Sequence, residues 1–585
     1  MIPLLAGFFF FGRVSGQGLP DSLTKKIDSI CSKWNNPSGP GCAVGIVRND
    51  SLIFAKGYGL ANLEYGIPIT DSTIFHMASV SKQFTAFSIV LLERAGKLRL
   101  DDDIRKYLPW FPDLREKITI RHLLHHTSGI RDQWQLLAIQ GTRMDDVITQ
   151  QHIIKILQQQ RAVNFPVGTE WNYSNSNFTL AAEIVKAVSG QSLRRFTDSA
   201  IFRPLGMTHT HFHDDYTEIV KDRAYSYNQK DSAHYANSIL SYSNVGATSL
   251  FTNVDDMARW LSNFYLHKVG DQADIDTLTT KGRLSNGKVL DYALGISDGE
   301  HRGWQEFSHG GADAGYRTYV AVYPGAKLGV IVFSNLGDFN PGDVAAKITD
   351  LFLKDKTPAA GPAANPASND PANSAADPTA KAQAKAQAEA QPQPPKDTAA
   401  AILPAADIAA LKPYLGSYIA ANGIALDLAV KNSKLYYLND GGQQLLIKDS
   451  AQRYVMFYSP DIQFTLEPLR KDTTMYVKAE NQVEFRMTKY PPVNDKNEHI
   501  LQPYVGSYYC PELGCTYGIA LKDHHLVLTN NKYDDVPLRL AGPDHLLNDH
   551  WWMNNLTIKR NTKHQITGFE VDGGRVTHLA FKKVD

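Results

Sequence analysis

Ser79 and Lys82 stand three positions apart in HMASVSKQFTAFSIVLLERAG, residues 76–96. On a helix, that spacing puts both side chains on one face, a single turn apart. A serine hydroxyl is a poor nucleophile until a base removes its proton. A lysine withdrawn from water sheds its charge and becomes such a base. Amides at the start of a helix, that of Ser79 among them, favour a developing oxyanion. The chemistry implied is acyl transfer through a serine. The spacing alone is common, because an N-capping serine on a solvated helix start produces it too. Ser81 is a rival nucleophile in another register.

Two further segments carry candidate groups. Tyr173-Ser174-Asn175 lies in PVGTEWNYSNSNFTLAAEIV, between a Pro-Gly turn and a helical pattern. His309-Gly310-Gly311 lies in FSHGGADAGYRTYVAVYP and leads toward a strand. Holding three distant segments together calls for a sheet with a helical insertion. Leu23, Ile27, Ile30 and Trp34 recur at helical spacing up to Asn35-Asn36-Pro37. Strands CAVGIVR and SLIFAKGYG follow, joined at the hairpin-type dipeptide Asn49-Asp50. Strands at Thr318–Val322 and Leu328–Ser334, turning at Gly325, and a helix from about Asp343 to Lys354 close the unit. FTAFSIVLLERAG and TLAAEIVKAVSG read as helices ending at glycine.

Together with LLHHTSGI (123–130) and NVGATSLFTNVDDMARW (244–260), this order of motifs resembles the serine β-lactamase and penicillin-binding-protein superfamily, in particular its class C-like branch with D-aminopeptidases and related esterases. The resemblance covers Leu23 to Phe352. It implies that Ser79 is acylated with Lys82 as base, that Tyr173 shares proton transfer and helps activate the deacylating water, and that Asn175 holds Lys82 and the substrate amide. His309 takes the place of the third motif's Lys or His, and Gly310 and Gly311 leave room for a substrate backbone along the strand. The amide of Ala312 completes an oxyanion hole with that of Ser79. A neutral His309 lacks the fixed cation that many relatives offer a substrate carboxylate, and Arg317 nearby reads as structural. No separate deacylating Glu motif is visible, which suits a Tyr-centred mechanism. No cofactor and no metal are expected. His122, His125 and His126 fall in the structural LLxHTSG-like segment and lack a further ligand at metal spacing.

The 585-residue chain is too long for one core. Its 60 basic and 60 acidic residues cancel, without a basic stripe, so nucleic acid is not an expected partner. Residues 1–18 hold an apolar run from Ile2 to Phe11, signal-peptide-like though without a basic start. No transmembrane helix is expected in the mature chain, and the protein is expected to be secreted or periplasmic. Cys31 with Cys42 and Cys510 with Cys515 are disulfide candidates for an oxidising compartment.

Residues 355–402, rich in Ala and Pro, read as a disordered linker. They separate a catalytic α+β domain (19–354) from two copies of a small all-β unit (403–494 and 495–585). LKPYLGSY at 411–418 recurs as LQPYVGSY at 501–508, and VKNSKLYYL from Val430 recurs as LKDHHLVLT from Leu521. Phe485-Arg486 and Phe581-Lys582 are read as matching ends. Each unit predicts a small antiparallel barrel filled by side chains, and the pair resembles the lipocalin-like barrels of the D-aminopeptidase branch. Such barrels could shape the entrance to the active site or contact a partner surface, while a long flexible linker also allows them to sit elsewhere. The expected activity is hydrolysis of amides or esters through a Ser79 acyl-enzyme, on small peptides or D-amino-acid derivatives. A β-lactamase or DD-carboxypeptidase is the alternative enzyme, and a non-catalytic protein binding through its barrels is the alternative of another class.

Overall fold

The structure is a computed structural model describing residues 19–231, 234–356, 402–420, 425–439, 442–448, 454–456, 459–465, 474–479, 485–490, 497–542, 544–548 and 550–584. The signal-like segment and nearly all of the predicted linker lie outside the described residues.

Six antiparallel strands form the central sheet, in the spatial order Ser297–His301, Trp304–Asp313, Tyr316–Tyr323, Leu328–Ser334, Cys42–Arg48 and Ser51–Tyr58. CAVGIVR and LGVIVFS are buried almost throughout because helices cover both faces of the sheet. Val44, Ile46, Val330 and Val332 pack on one side with Ile27 of helix Asp21–Cys31 and with Val344 and Ile348 of helix Pro341–Thr349. Ala43, Val47, Ile331 and Phe333 face the other side, toward helix Val254–Leu266 and the helical insertion. Asn49 and Asp50 both adopt positive φ, as the tight hairpin between strands Cys42–Arg48 and Ser51–Tyr58 requires. The closing helix ends at Thr349, short of the expected Lys354, and 3-10-type turns carry the chain onward.

Two closed eight-stranded barrels follow, running from Gly416–Ala420 to Phe485–Tyr490 and from Gly506–Cys510 to Val576–Val584. Their equivalence extends to single interactions. Tyr418 Oη donates to Tyr414 O at 2.8 Å, and Tyr508 Oη to Tyr504 O at 2.5 Å. Lys489 Nζ donates to Pro413 O, and Lys583 Nζ to Pro503 O. Asn432-Ser433 and Asp523-His524 make matching positive-φ turns. Because Tyr418 pairs with Lys489 and Tyr508 with Lys583, the counterpart of Phe581 is Met487. The expected match with Phe485 is therefore two residues out of register.

One expectation needs correction. Cys31 and Cys42, like Cys510 and Cys515, are free thiols rather than disulfides. The members of each pair nevertheless lie close together, and Cys510 and Cys515 face each other across their hairpin. Of the placements the linker allows, the second barrel takes the one against the catalytic domain. Tyr517 Oη donates to Ile139 O, and Tyr533 Oη donates to Ala138 O and Thr142 O. Buried Arg131 reaches across to Glu512 at 2.8 and 2.9 Å and to the carbonyls of Thr577 and His578. No helix among the described residues is long and apolar enough to cross a membrane.

Candidate active site

Ser79 sits in a 3-10 turn, Ala78–Val80, that runs directly into helix Ser81–Arg94. From Thr73 to Val90 it is the one residue that is not buried, so the turn presents a single hydroxyl to the cleft. Ala78 has φ of 47°, a left-handed conformation unusual for alanine. His76 Nδ1 accepts the Ala78 amide at 3.1 Å and helps hold this bend. Ser81 is fully buried, and its Oγ accepts the Leu250 amide, which removes it as a rival nucleophile.

Lys82 is wholly buried, and its Nζ donates to Ser79 Oγ at 3.0 Å, Asn175 Oδ1 at 2.8 Å and Ala247 O at 2.8 Å. Burial lowers its pKa to about 7, against the opposing pull of Asp313 and Asp132 and with the help of Arg575. When the amine is neutral, its two hydrogens satisfy the Asn175 and Ala247 oxygens. The lone pair is then left for the Ser79 hydroxyl. Asn175 opens helix Asn175–Ser189 and is itself clamped by Asp132, whose Oδ2 accepts the Asn175 amide at 2.7 Å and Nδ2 at 2.9 Å. The other oxygen of Asp132 caps helix Gln133–Gln140.

Tyr173 lies beside this pair, with Lys82 Nζ 4.8 Å from its ring centroid. Its hydroxyl is buried and directed at Ser79 without reaching full hydrogen-bonding geometry, and that burial raises its pKa. His309 is buried, and desolvation reinforced by Lys82 lowers its pKa to about 3, so it is neutral. Its Nδ1 lies 2.6 Å from the Gly310 carbonyl, which only accepts, so Nδ1 carries the hydrogen and Nε2 accepts from Tyr292 Oη at 3.0 Å. His126 stacks 4.2 Å from Tyr173 and accepts the Ser174 amide, while His122 caps helix Ile120–Leu124.

Strand Ser297–His301 pairs with its neighbour only as far as Ser308. His309 to Asp313 therefore have a ladder partner on one side and an unpaired edge on the other among the described residues. Gly311 packs on the nucleophile turn so closely that a Cβ there would sit 2.3 Å from Met77 O and Thr318 Oγ1. At Gly310 a Cβ would meet nothing nearer than 3.7 Å, so only one of the two predicted glycines is demanded by space. Asp313 accepts a hydrogen bond from Thr248 Oγ1, and burial raises its pKa to about 6. Arg317 donates to the carbonyls of Ala314 and Tyr316 and is structural.

Sequence reasoning brought Ser79, Lys82, Tyr173, Asn175, His309 and the glycine strand to one place, but it missed Asp132, Tyr292, Asp313 and Arg575. The hairpin Gly573-Gly574-Arg575, joining the last two strands of the second barrel, is held against the catalytic domain. Gln135 Oε1 accepts the Arg575 amide at 2.8 Å, Gln135 Nε2 donates to Gly573 O, and Asn164 Nδ2 donates to Arg575 O. The Arg575 guanidinium carbon sits 4.8 Å from the Tyr173 ring centroid. No short-range pattern signals a contact between residues some 400 apart. Two His-carboxylate groups, His211/His213/Glu218 and Glu570/Asp572/His578, cluster as metal ligands do. Arg194 already pairs with Glu218, and Lys559 with Glu570.

A family model described as Beta-lactamase matches residues 29–353. Similar proteins include a D-aminopeptidase of Gluconobacter oxydans (strain 621H), 28% identical over 324 residues that cover 54% of this chain and 60% of that protein. Penicillin-binding protein 4* of Bacillus subtilis (strain 168) is 25% identical over 443 residues, covering 73% of this chain and 90% of its own. Among solved structures, the octameric penicillin-binding protein homologue from Pyrococcus abyssi covers 87% of this chain and 97% of its own, at 21% identity and a TM-score of 0.51, a likeness of fold alone. The match to the D-aminopeptidases thus spans about 60% of their length. Since the family model covers more than half of the chain, from the first helix to the end of the sheet domain, the chain belongs to the Beta-lactamase family.

Proposed function

We propose that the protein is a serine hydrolase that cleaves amide or ester bonds through an acyl-enzyme on Ser79. The observation that carries this reading is the buried Lys82 amine, its pKa lowered to about 7, 3.0 Å from the one part-buried hydroxyl of a buried segment. Lys82 takes the Ser79 proton as Oγ bonds to the substrate carbonyl carbon, and the carbonyl electron pair moves onto its oxygen. The amides of Ser79 and Ala312 stabilise that oxyanion. Collapse breaks the bond to the leaving group, which takes a proton from the Lys82 ammonium with the Tyr173 hydroxyl as relay. Water then attacks the acyl-enzyme, giving a proton to Lys82 by the same route. Collapse breaks the Oγ–acyl bond, releases the acid and returns the proton from Lys82 to Ser79 Oγ. Asn175 orients Lys82, and the edge His309–Asp313 lines up the substrate backbone.

The D-aminopeptidases among the similar proteins support D-amino-acid amides or short peptides as substrates, with small esters also accepted. Export from the cytoplasm is supported by the apolar run at residues 2–11. Labelling with a fluorophosphonate and with a fluorescent penicillin, using Ser79→Ala as control, tests the reading. A covalent adduct that requires Ser79 is expected. Absence of any adduct on the folded native protein would overturn it.

A further inference from the structure

The family's usual cation is missing from this cleft, because the third-motif position holds His309, neutral and engaged by Tyr292. The other cations nearby are committed elsewhere. Lys82 donates to three oxygens, Arg317 to carbonyls, and Arg131 to Glu512. Arg575 differs. Its guanidinium lies over the face of Tyr173 and makes no hydrogen bond among the described residues. Its nearest carboxylate, Asp132 Oδ2, is 3.9 Å from Nη1 and already accepts twice from Asn175. Its side chain is 16% exposed, which is enough to meet a ligand yet sheltered from bulk screening.

The backbone that carries Arg575 is rigid. Asp132 N and Asn164 Nδ2 both donate to the Arg575 carbonyl, Asn172 donates to Gly574 O, and Asn164 Oδ1 accepts the Thr577 amide. Gly574, at φ of 61°, makes the tight bend that brings this turn onto Gln135. Five planar donors held over the phenol that faces the nucleophile form a seat for a two-oxygen anion. We propose that Arg575, reaching in from the second barrel, binds a carboxylate of the substrate next to the scissile bond. The preferred substrates are then acyl amino acids or short peptides with a free carboxylate, rather than neutral amides. The inference rests on the Ser79 reading for its reaction, but its binding step is measurable without turnover.

The test uses the full chain carrying Ser79→Ala, titrated calorimetrically with N-acetyl-D-alanyl-D-alanine and with its C-terminal amide. The carboxylate form is expected to bind at least about tenfold tighter, since a charge-assisted hydrogen bond contributes on the order of tenfold or more. Adding Arg575→Gln removes that ratio, Arg575→Lys keeps part of it, and 0.5 M salt reduces it. A loss of packing alone weakens both ligands equally and leaves the ratio unchanged, and that result overturns the proposal. Equal binding of the two ligands before Arg575 is changed overturns it as well. Fluorophosphonate labelling of the unmutated protein reports separately on Ser79, so failure of one reading is distinguishable from failure of the other.

Discussion

The pH dependence of acylation follows from the burial of one amine. An ordinary lysine with a pKa of 10.5 is neutral at pH 7 in about one molecule in 3,000, whereas Lys82, lowered to about 7, is neutral in roughly half. Burial therefore raises the supply of base at pH 7 on the order of a thousandfold. The groups facing the amine pull in both directions. Asp313 and Asp132 favour the charged form, while Arg575 and burial favour the neutral one. His309 stays neutral throughout, and Tyr173, its pKa raised by burial, stays a phenol. The value of kcat/KM for a nitrophenyl ester should fall about tenfold per pH unit below pH 7 and level off above it, to about a hundredfold below the plateau at pH 5. Asp313, protonating near pH 6, gives up its pull toward charged Lys82 and so makes the lower limb shallower. Stopped-flow acylation across pH 5 to 9 with Lys82→Ala as control measures this, and that variant should lose about a hundred- to ten-thousandfold. A rate that is flat from pH 5 to 8, or that rises only above pH 9, would refute the assignment of Lys82 as base.

The same burial costs stability. Lys82 binds fewer protons folded than unfolded between about pH 7 and 10.5, so its unfavourable contribution is full below pH 7 and fades as pH rises toward 10.5. It is worth about 5 kcal/mol, and Lys82→Met should melt above the wild type at pH 6, with the gap narrowing by pH 9; a gap independent of pH contradicts this. Asp132→Ala frees the Asn175 clamp and one helix cap, and should cost about 1–3 kcal/mol and markedly slow acylation. Chemical denaturation together with active-site titration checks both effects. Gly311→Ala should abolish Ser79 labelling, because its Cβ would displace the nucleophile turn, while Gly310→Ala should label nearly normally. Equal behaviour of the two variants would count against the packing described. Glu512→Ala leaves the 1%-exposed Arg131 without its carboxylate and should destabilise the folded chain by about 3–5 kcal/mol, seen as a lower melting temperature.

Much of this could be read along the chain because it depends on short-range pattern. Three-residue spacing on a helix brings Ser79 to Lys82. Short apolar runs around hairpin-type turns report the strands of the sheet, and the recurrence of LKPYLGSY as LQPYVGSY reports two copies of one barrel. What this pattern could not show is which of two glycines is sterically required. That depends on the few ångströms between one strand and the turn opposite.

By itself, then, the sequence singled out the candidate nucleophile and base, an α+β unit followed by all-β units, and a histidine in place of the third-motif lysine, since each resides in residue type and local spacing. Only the tertiary structure decided that Asp132 steadies Asn175, that Tyr292 donates to the free nitrogen of His309, and that a barrel hairpin brings Arg575 over Tyr173. Those contacts join residues from tens to more than 400 positions apart. Charge and hydrogen bonding act through space, and folding alone sets which distant groups come within a few ångströms of one another.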